Sequence, residues 1–137
     1  MILIKTPAQI DGIRASGKLA AAALKYTASF IKPGISTEEL NKIAHDYIIS
    51  HGAIPAPLNY NGFPKSICTS VNNVVCHGIP SKKEILKEGD IINLDITTIL
   101  NGYYGDTSAT YPVGKTSQEA KLLIERTKKS LDLAIKS

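Results

Sequence analysis

The order of signals along the chain predicts an α+β fold with helices packed on one face of an antiparallel sheet. Two N-capped amphipathic segments open the chain, two β-branched runs then meet at Asn101-Gly102, and a third capped, leucine-bearing segment follows. With 137 residues, 43% hydrophobic and 20% charged, the composition is globular and the length is that of one ordinary domain able to bury a core.

The first helix starts at Thr6-Pro7, a capping hydroxyl followed by proline in the first turn. Ile10, Ile13, Gly17, Leu24 and Ile31 recur near helical spacing through an alanine-rich segment, so the helix is expected to end just before Pro33-Gly34. Ser36-Thr37-Glu38-Glu39 matches a capping box, in which hydroxyl and carboxylate satisfy orphan amides. Leu40, Ile43, Ala44, Tyr47 and Ile48 supply the apolar stripe of a second helix reaching about Ser50. Prolines, asparagines and glycines from Gly52 to Pro64 mark a long connection. Ser66 to Val75 reads as a strand interrupted at Asn72-Asn73. Ile91 to Leu100 and Tyr103 to Val113 are clearer strands, joined by the preferred sequence of a two-residue type I′ turn. Thr116-Ser117-Gln118-Glu119 matches another capping box, opening a helix that carries Leu122, Leu123, Leu131 and Leu133. No internal repeat, linker or low-complexity tract is evident.

Lysine and arginine total 16 against 12 acidic residues, a net charge of +4, and only Arg14 and Arg126 are arginines. Such mild basicity does not by itself predict nucleic acid. Much of the excess lies between Lys115 and Ser137, where a solvated helix face is the plainer account. Cys68 and Cys76 can form neither a disulfide framework nor paired zinc knuckles, so a reducing compartment is expected. The apolar start, Met1 to Lys5, is too short for a signal peptide, and the longest uncharged run, Tyr47 to Pro64, is broken by prolines and glycines. A soluble cytoplasmic protein without a membrane partner is the expectation.

A two-residue turn at Asn101-Gly102 sets Thr97 opposite Asp106 and Asp95 opposite Ser108. Asp95 and Asp106 then share a face, diagonal neighbours with Cβ atoms roughly 7 to 8 Å apart. Such a pair needs solvent, a shared proton or a cation. On spacing alone the water-facing side of a sheet accounts for Asn93, Asp95, Thr97, Asp106, Ser108 and Thr110 better than a metal pair does. His45 and His51 are too far apart to share a helix face and read as surface or packing residues. His77, at a strand end where Gly78 and Pro80 force an exit, lies at a rim where acid/base groups often sit, although a structural role is the default. Cys68 and Cys76 read as small buried hydrophobes.

Four motifs stand in order: Tyr60-Asn61-Gly62-Phe63-Pro64-Lys65-Ser66-Ile67-Cys68, then Val75-Cys76-His77-Gly78-Ile79-Pro80, then Gly89-Asp90-Ile91-Ile92-Asn93-Leu94-Asp95, then Gly105-Asp106-Thr107-Ser108. Together with Ile4-Lys5-Thr6-Pro7 and Lys32-Pro33-Gly34-Ile35-Ser36-Thr37 they resemble the type I methionine aminopeptidases across essentially the whole chain. The resemblance implies one half of a pseudo-symmetric pita-bread (creatinase/aminopeptidase) fold. It implies metal-dependent removal of N-terminal methionine from nascent proteins whose second residue is small.

By that resemblance Asp95 and Asp106 are the first two ligands of a site for two divalent ions (cobalt, manganese, iron or zinc). His77 contacts the substrate near the scissile amide, and Tyr60, Phe63 and Cys68 line the methionine pocket; Thr97, on the same face, is placed to orient the ligands. In the family a histidine and two glutamates from a second half complete the site. None has a counterpart here, so residues 1–137 are expected to be the N-terminal portion of the catalytic domain, with the second half absent and little activity alone. Partners are expected to be nascent polypeptide N-termini, with a weak, salt-sensitive ribosome contact through the lysine-rich segment and no DNA. Family members are monomeric, and a half-site with an exposed edge invites self-association. The competing expectation is a non-catalytic peptide- or ribosome-binding module that keeps the fold without the metals.

Overall fold

The computed structural model describes residues 3–137. Helix α1 (Pro7–Ala28) is capped by Thr6, which exchanges hydrogen bonds with Gln9 in a full capping box. It stops well before Pro33, because the chain turns at Ser29. Its packed face also differs from the isoleucine stripe: Ile10 and Ile13 are exposed, and Ser16, Ala20, Ala23, Leu24 and Thr27 are buried. Small residues win this face because α1 lies with its backbone almost on the sheet. A methyl group at Gly105 would lie 2.3 Å from the Ser16 carbonyl carbon, and Ser16 Oγ donates to the Thr98 carbonyl at 3.1 Å.

Helix α2 (Thr37–Ser50) carries the predicted capping box between Ser36 and Glu39 and buries Leu40, Asn41, Ala44 and Ile48. The connection beyond it contains a two-residue strand, β1 (Ile54–Pro55), and a single 3₁₀ turn at Tyr60–Gly62. Strand β2 (Cys68–Val71) is shorter than the expected Ser66–Val75, because the chain turns at Asn72-Asn73 and Val74 N–H bonds back to the Val71 carbonyl at 3.0 Å. Strands β3 (Ile91–Leu100) and β4 (Tyr103–Pro112) form the hairpin in the anticipated register, from Ile91 opposite Pro112 to Leu100 opposite Tyr103. Asn101 and Gly102 both have positive φ, 51° and 81°, as a type I′ turn requires.

All pairings are antiparallel. One edge of β3 takes β1 and β2 end to end, and the other takes β4, whose outer edge has no partner among the described residues. Alternation along β3 sends Ile92, Leu94, Ile96 and Thr98, each 0% exposed, toward α1 and α2, where Leu24, Leu40, Ile48, Ile67, Leu86 and Val113 complete the core. Asn93, Asp95 and Thr97 take the opposite, half-buried face.

Helix α3 (Gln118–Lys136) corrects two expectations. Its cap is Ser117, bonded to Ala120 N–H at 3.1 Å, so the box starting at Thr116 does not form. It also meets the sheet only lightly, near β4, with none of its residues buried and Leu123, Leu131, Leu133 and Ile135 exposed. A weak repeat becomes visible here. Ile124, Thr127, Leu131, Ala134 and Ile135 follow the Ser117 cap at the spacings at which Ile13, Ser16, Ala20, Ala23 and Leu24 follow Thr6. The α3 stripe is thus patterned like an α1 stripe of which Ser16, Ala20, Ala23 and Leu24 are buried and Ile13 is exposed. Among the described residues no helix is long and apolar enough to cross a membrane.

Candidate metal centre and pocket

The face of the sheet away from α1 and α2 holds a cavity of about 850 Å³. Tyr60, Phe63, Cys68, His77, Asp95, Thr97 and Asp106, the seven residues to which the resemblance gave a site role, line it, whereas His45, His51 and Cys76 do not. Three elements bring them together. The hairpin register places Asp106 opposite Thr97, whose hydroxyl donates to Asp106 Oδ1 at 3.0 Å. Pairing of β2 with β3 places Cys68 opposite Asp95. The segment Tyr60–Pro64 stands as a side wall, its path set by left-handed backbone at Asn59, Asn61 and Gly62.

His77 reaches the rim from a loop rather than from a strand. That loop runs back along β2, with Thr69 N–H bonded to the Gly78 carbonyl at 2.9 Å and Gly78 N–H bonded to Ser70 Oγ at 3.1 Å. The approach is so close that a Cβ at Gly78 would lie 2.0 Å from the Thr69 carbonyl oxygen, so only glycine fits. The preceding residue absorbs the turn: His77 has φ 55°, a left-handed conformation that costs a non-glycine residue on the order of 1 kcal/mol or more. The same loop overturns the reading of Cys76 as buried. β2 ends at Val71, and Cys76 is carried into solvent, whereas Cys68 remains buried in the sheet.

The electrostatics centre on Asp95. Burial, and then the adjacent Asp106 carboxylate, raise its carboxyl above the ordinary range, against a smaller downward pull from His77. Neither aspartate takes part in a salt bridge among the described residues. Cys68 responds to the same surroundings: burial first, then Asp95, Cys76 and Asp106 push its thiol from 9.0 up to about 11. Two neighbouring carboxylates without a counter-charge from a lysine or arginine suit a divalent cation in kind, since hard oxygen donors are what such ions take. They do not suffice in number. Among the described residues no group of three or more His, Cys, Asp or Glu side chains could hold a metal ion.

The cavity also takes in residues that the sequence did not single out: Ala56, Pro57, Asn61, Gly62, Pro64, Ile79 and Tyr104. Tyr104 was within reach of the register argument, since it lies two residues from Asp106 on the same face of β4. The others depend on how a loop folds, for which no periodic signal exists.

The model of metallopeptidase family M24 matches residues 11–137. Methionine aminopeptidase of Rickettsia prowazekii is 55% identical over 126 residues, 92% of this chain and 48% of that protein. That of Escherichia coli is 47% identical over 136 residues, 98% of this chain and 52% of that protein. The crystal structure of methionine aminopeptidase from Thermotoga maritima superposes with a TM-score of 0.95 at 36% identity, covering 98% of this chain and 54% of that one. The chain thus spans about half the length of these relatives. Its architecture is an antiparallel sheet with helices over one face, shared with methionine aminopeptidases and, at a TM-score of 0.72 and 27% identity, with an Xaa-Pro dipeptidase. The chain belongs to metallopeptidase family M24.

Proposed function

We propose that these residues are the N-terminal portion of a methionine aminopeptidase catalytic domain, which removes methionine from nascent proteins whose second residue is small. The observation that carries the reading is the meeting of Asp95, Asp106 and His77 on a cavity walled by Tyr60, Phe63 and Cys68, in a chain similar to proteins of that name. Tyr60 and Phe63 offer aromatic surface and Cys68 a sulfur, surroundings that favour an unbranched, polarizable thioether. His77, at the rim and exposed, is free to hydrogen-bond the reacting amide. Asp95 and Asp106 are the residues that hold divalent cations, and the Thr97 hydroxyl keeps the Asp106 carboxylate in place. When bound, such ions supply an acidified water and polarise the scissile carbonyl.

Two carboxylates leave a dinuclear site incomplete, and the resemblance to the methionine aminopeptidases implies that the remaining donors are a histidine and two glutamates of a second half. The outer edge of β4, without a partner among the described residues, and the largely exposed α3 stripe support a second half that continues the sheet and receives that helix. Residues 1–137 alone are then nearly inactive and inclined to self-associate. The substrate is a nascent polypeptide in the cytoplasm, and the lysine-rich α3 segment gives a weak ribosome contact.

The lack of a third donor favours one other reading, a binding module that has lost the metals. Release of methionine from a Met-Ala peptide in Mn²⁺ or Co²⁺, by the complete reading frame and not by its Asp106→Asn variant, is the expected result. No release by the complete protein overturns the aminopeptidase. Calorimetry showing no divalent-ion binding to it supports the module.

A further inference from the structure

Helix α2 presents a polar column, Glu38, Asn41 and His45, to the segment Lys65-Ser66. Lys65 Nζ lies 2.6 Å from Glu38 Oε2, with both side chains largely buried at 27% and 21% exposure. Ser66 N–H donates to Asn41 Oδ1 at 2.9 Å, and Ser66 Oγ lies 2.8 Å from His45 Nδ1. Spacings of three and four residues put all three on one helix face, so the column follows from α2 as a rigid rod. None of it lines the cavity.

What the column holds is the downstream end of the cavity wall. Within residues 57–64 the backbone hydrogen bonds are local turns, from Leu58 to Pro55, Asn59 to Phe63, Tyr60 to Pro57 and Phe63 to Tyr60. The upstream tether is Ala56 N–H to the Thr97 carbonyl at 2.9 Å, and the downstream tether is Lys65-Ser66 on α2. A loop with left-handed residues at Asn59, Asn61 and Gly62 has little stiffness of its own, so its distance from Cys68 and Asp95 is fixed at its two ends.

We propose that Glu38, Asn41 and His45 are positioning residues that set the width of the pocket by clamping Lys65-Ser66, acting on side-chain binding from the far face of the sheet. The ligand part rests on the methionine reading above; the clamp does not. Glu38 and His45 stand outside the buried set of α2, whereas Asn41 is buried beside Leu40, Ala44 and Ile48, so Glu38 and His45 are the positions that separate the clamp from fold support.

The test uses the metal-free form of the complete protein that carries these residues, with hydrogen exchange of residues 59–66 and of Ile92–Ile96, and titration with free L-methionine followed by NMR. His45→Ala removes one bond, so exchange of residues 59–66 rises about tenfold with Ile92–Ile96 unchanged, and methionine binds several-fold more weakly. His45→Asn places an amide atom near the position of Nδ1 without the ring, and restores both. Glu38→Gln gives the same local loosening and keeps the question answerable if His45→Ala does not fold. A rise shared by Ile92–Ile96, failure of His45→Asn to restore, or loosening with unchanged methionine affinity overturns the proposal. If the wild-type chain binds no methionine, the methionine reading fails, and local exchange restored by His45→Asn still supports the clamp.

Discussion

Alkylation of Cys68 reads the charge of the carboxylate pair without any substrate. Its thiol is raised from 9.0 to about 11, so at pH 8 its thiolate population is about a hundredfold below that of an ordinary thiol. A more basic thiolate is also more nucleophilic, and with a Brønsted slope of about 0.4–0.5 this returns roughly six- to tenfold. The ionisation deficit is therefore about ten- to fifteenfold, before the 7% exposure of Cys68 restricts access further. Cys76 is exposed, so access to it is not restricted in this way. With iodoacetamide and mass spectrometry of the modified peptides, Cys76 is expected to react first and Cys68 at least about tenfold more slowly. Asp95→Asn removes one of the charges that raise the thiol and speeds Cys68 labelling, and a divalent cation seated between the carboxylates acts in the same direction. Burial is the largest cause, so either change recovers only part of the deficit. Equal labelling of the two thiols, or a Cys68 rate unchanged in a folded Asp95→Asn variant, would refute the placement of Cys68 beside the pair.

Alkaline stability follows from the same group. A raised folded-state thiol contributes stability that is complete below its ordinary value of 9.0 and is lost as pH rises through about 11. Urea midpoints should fall across that window, less steeply in Cys68→Ala; Tyr111, also raised by burial, keeps some slope in either protein. Gly105→Ala drives a methyl group into the backbone of Ser16 and Gly17, which no rotamer change relieves, so a loss of about 3 kcal/mol or more is expected in urea denaturation. Gly17→Ala meets nothing within 4 Å and lies inside α1, so it should stabilise by about 0.5–1 kcal/mol in the same assay. Thr97→Val deletes the bond to Asp106 Oδ1, and calorimetry on the complete protein should show divalent-ion affinity lower by about 10- to 100-fold with the melting temperature nearly unchanged.

What was legible in the sequence divides by mechanism. The hairpin was readable to the residue, because a two-residue Asn-Gly turn leaves one register and one set of facing side chains. The first two N-caps were equally plain, since a hydroxyl and a residue three positions on close the same ring wherever they occur. The packed face of α1 was not, because hydrophobicity points to Ile10 and Ile13 whereas helix and sheet approach on Ser16, Ala20 and Gly105. Steric smallness leaves little trace in a hydrophobic pattern. The cap of α3 slipped by one residue because Thr116 and Ser117 are both competent, and Ser117 is the one that bonds Ala120. At the cavity, alternation put Asp95, Thr97 and Asp106 on one face, the family resemblance gave them and Cys68 a role, and the loop positions of His77 and Cys76 depended on the chain turning at Asn72-Asn73.

Spacing alone left this face of the hairpin as an ordinary wetted surface, and its energetics now argue otherwise. A wetted sheet face spreads its carboxylates into solvent, where they stay ionised at little cost. Here Asp95 is half-buried in the cavity that Tyr60–Pro64 also lines, beside a second carboxylate, and burial and that carboxylate both destabilise its anion. His77 adds a left-handed backbone at the same rim. Both features lower stability, and a wetted face needs neither of them. Unfavourable features concentrated in one cavity are the pattern expected where a ligand restores the balance on binding, and a cation between Asp95 and Asp106 is the ligand that relieves the largest of them.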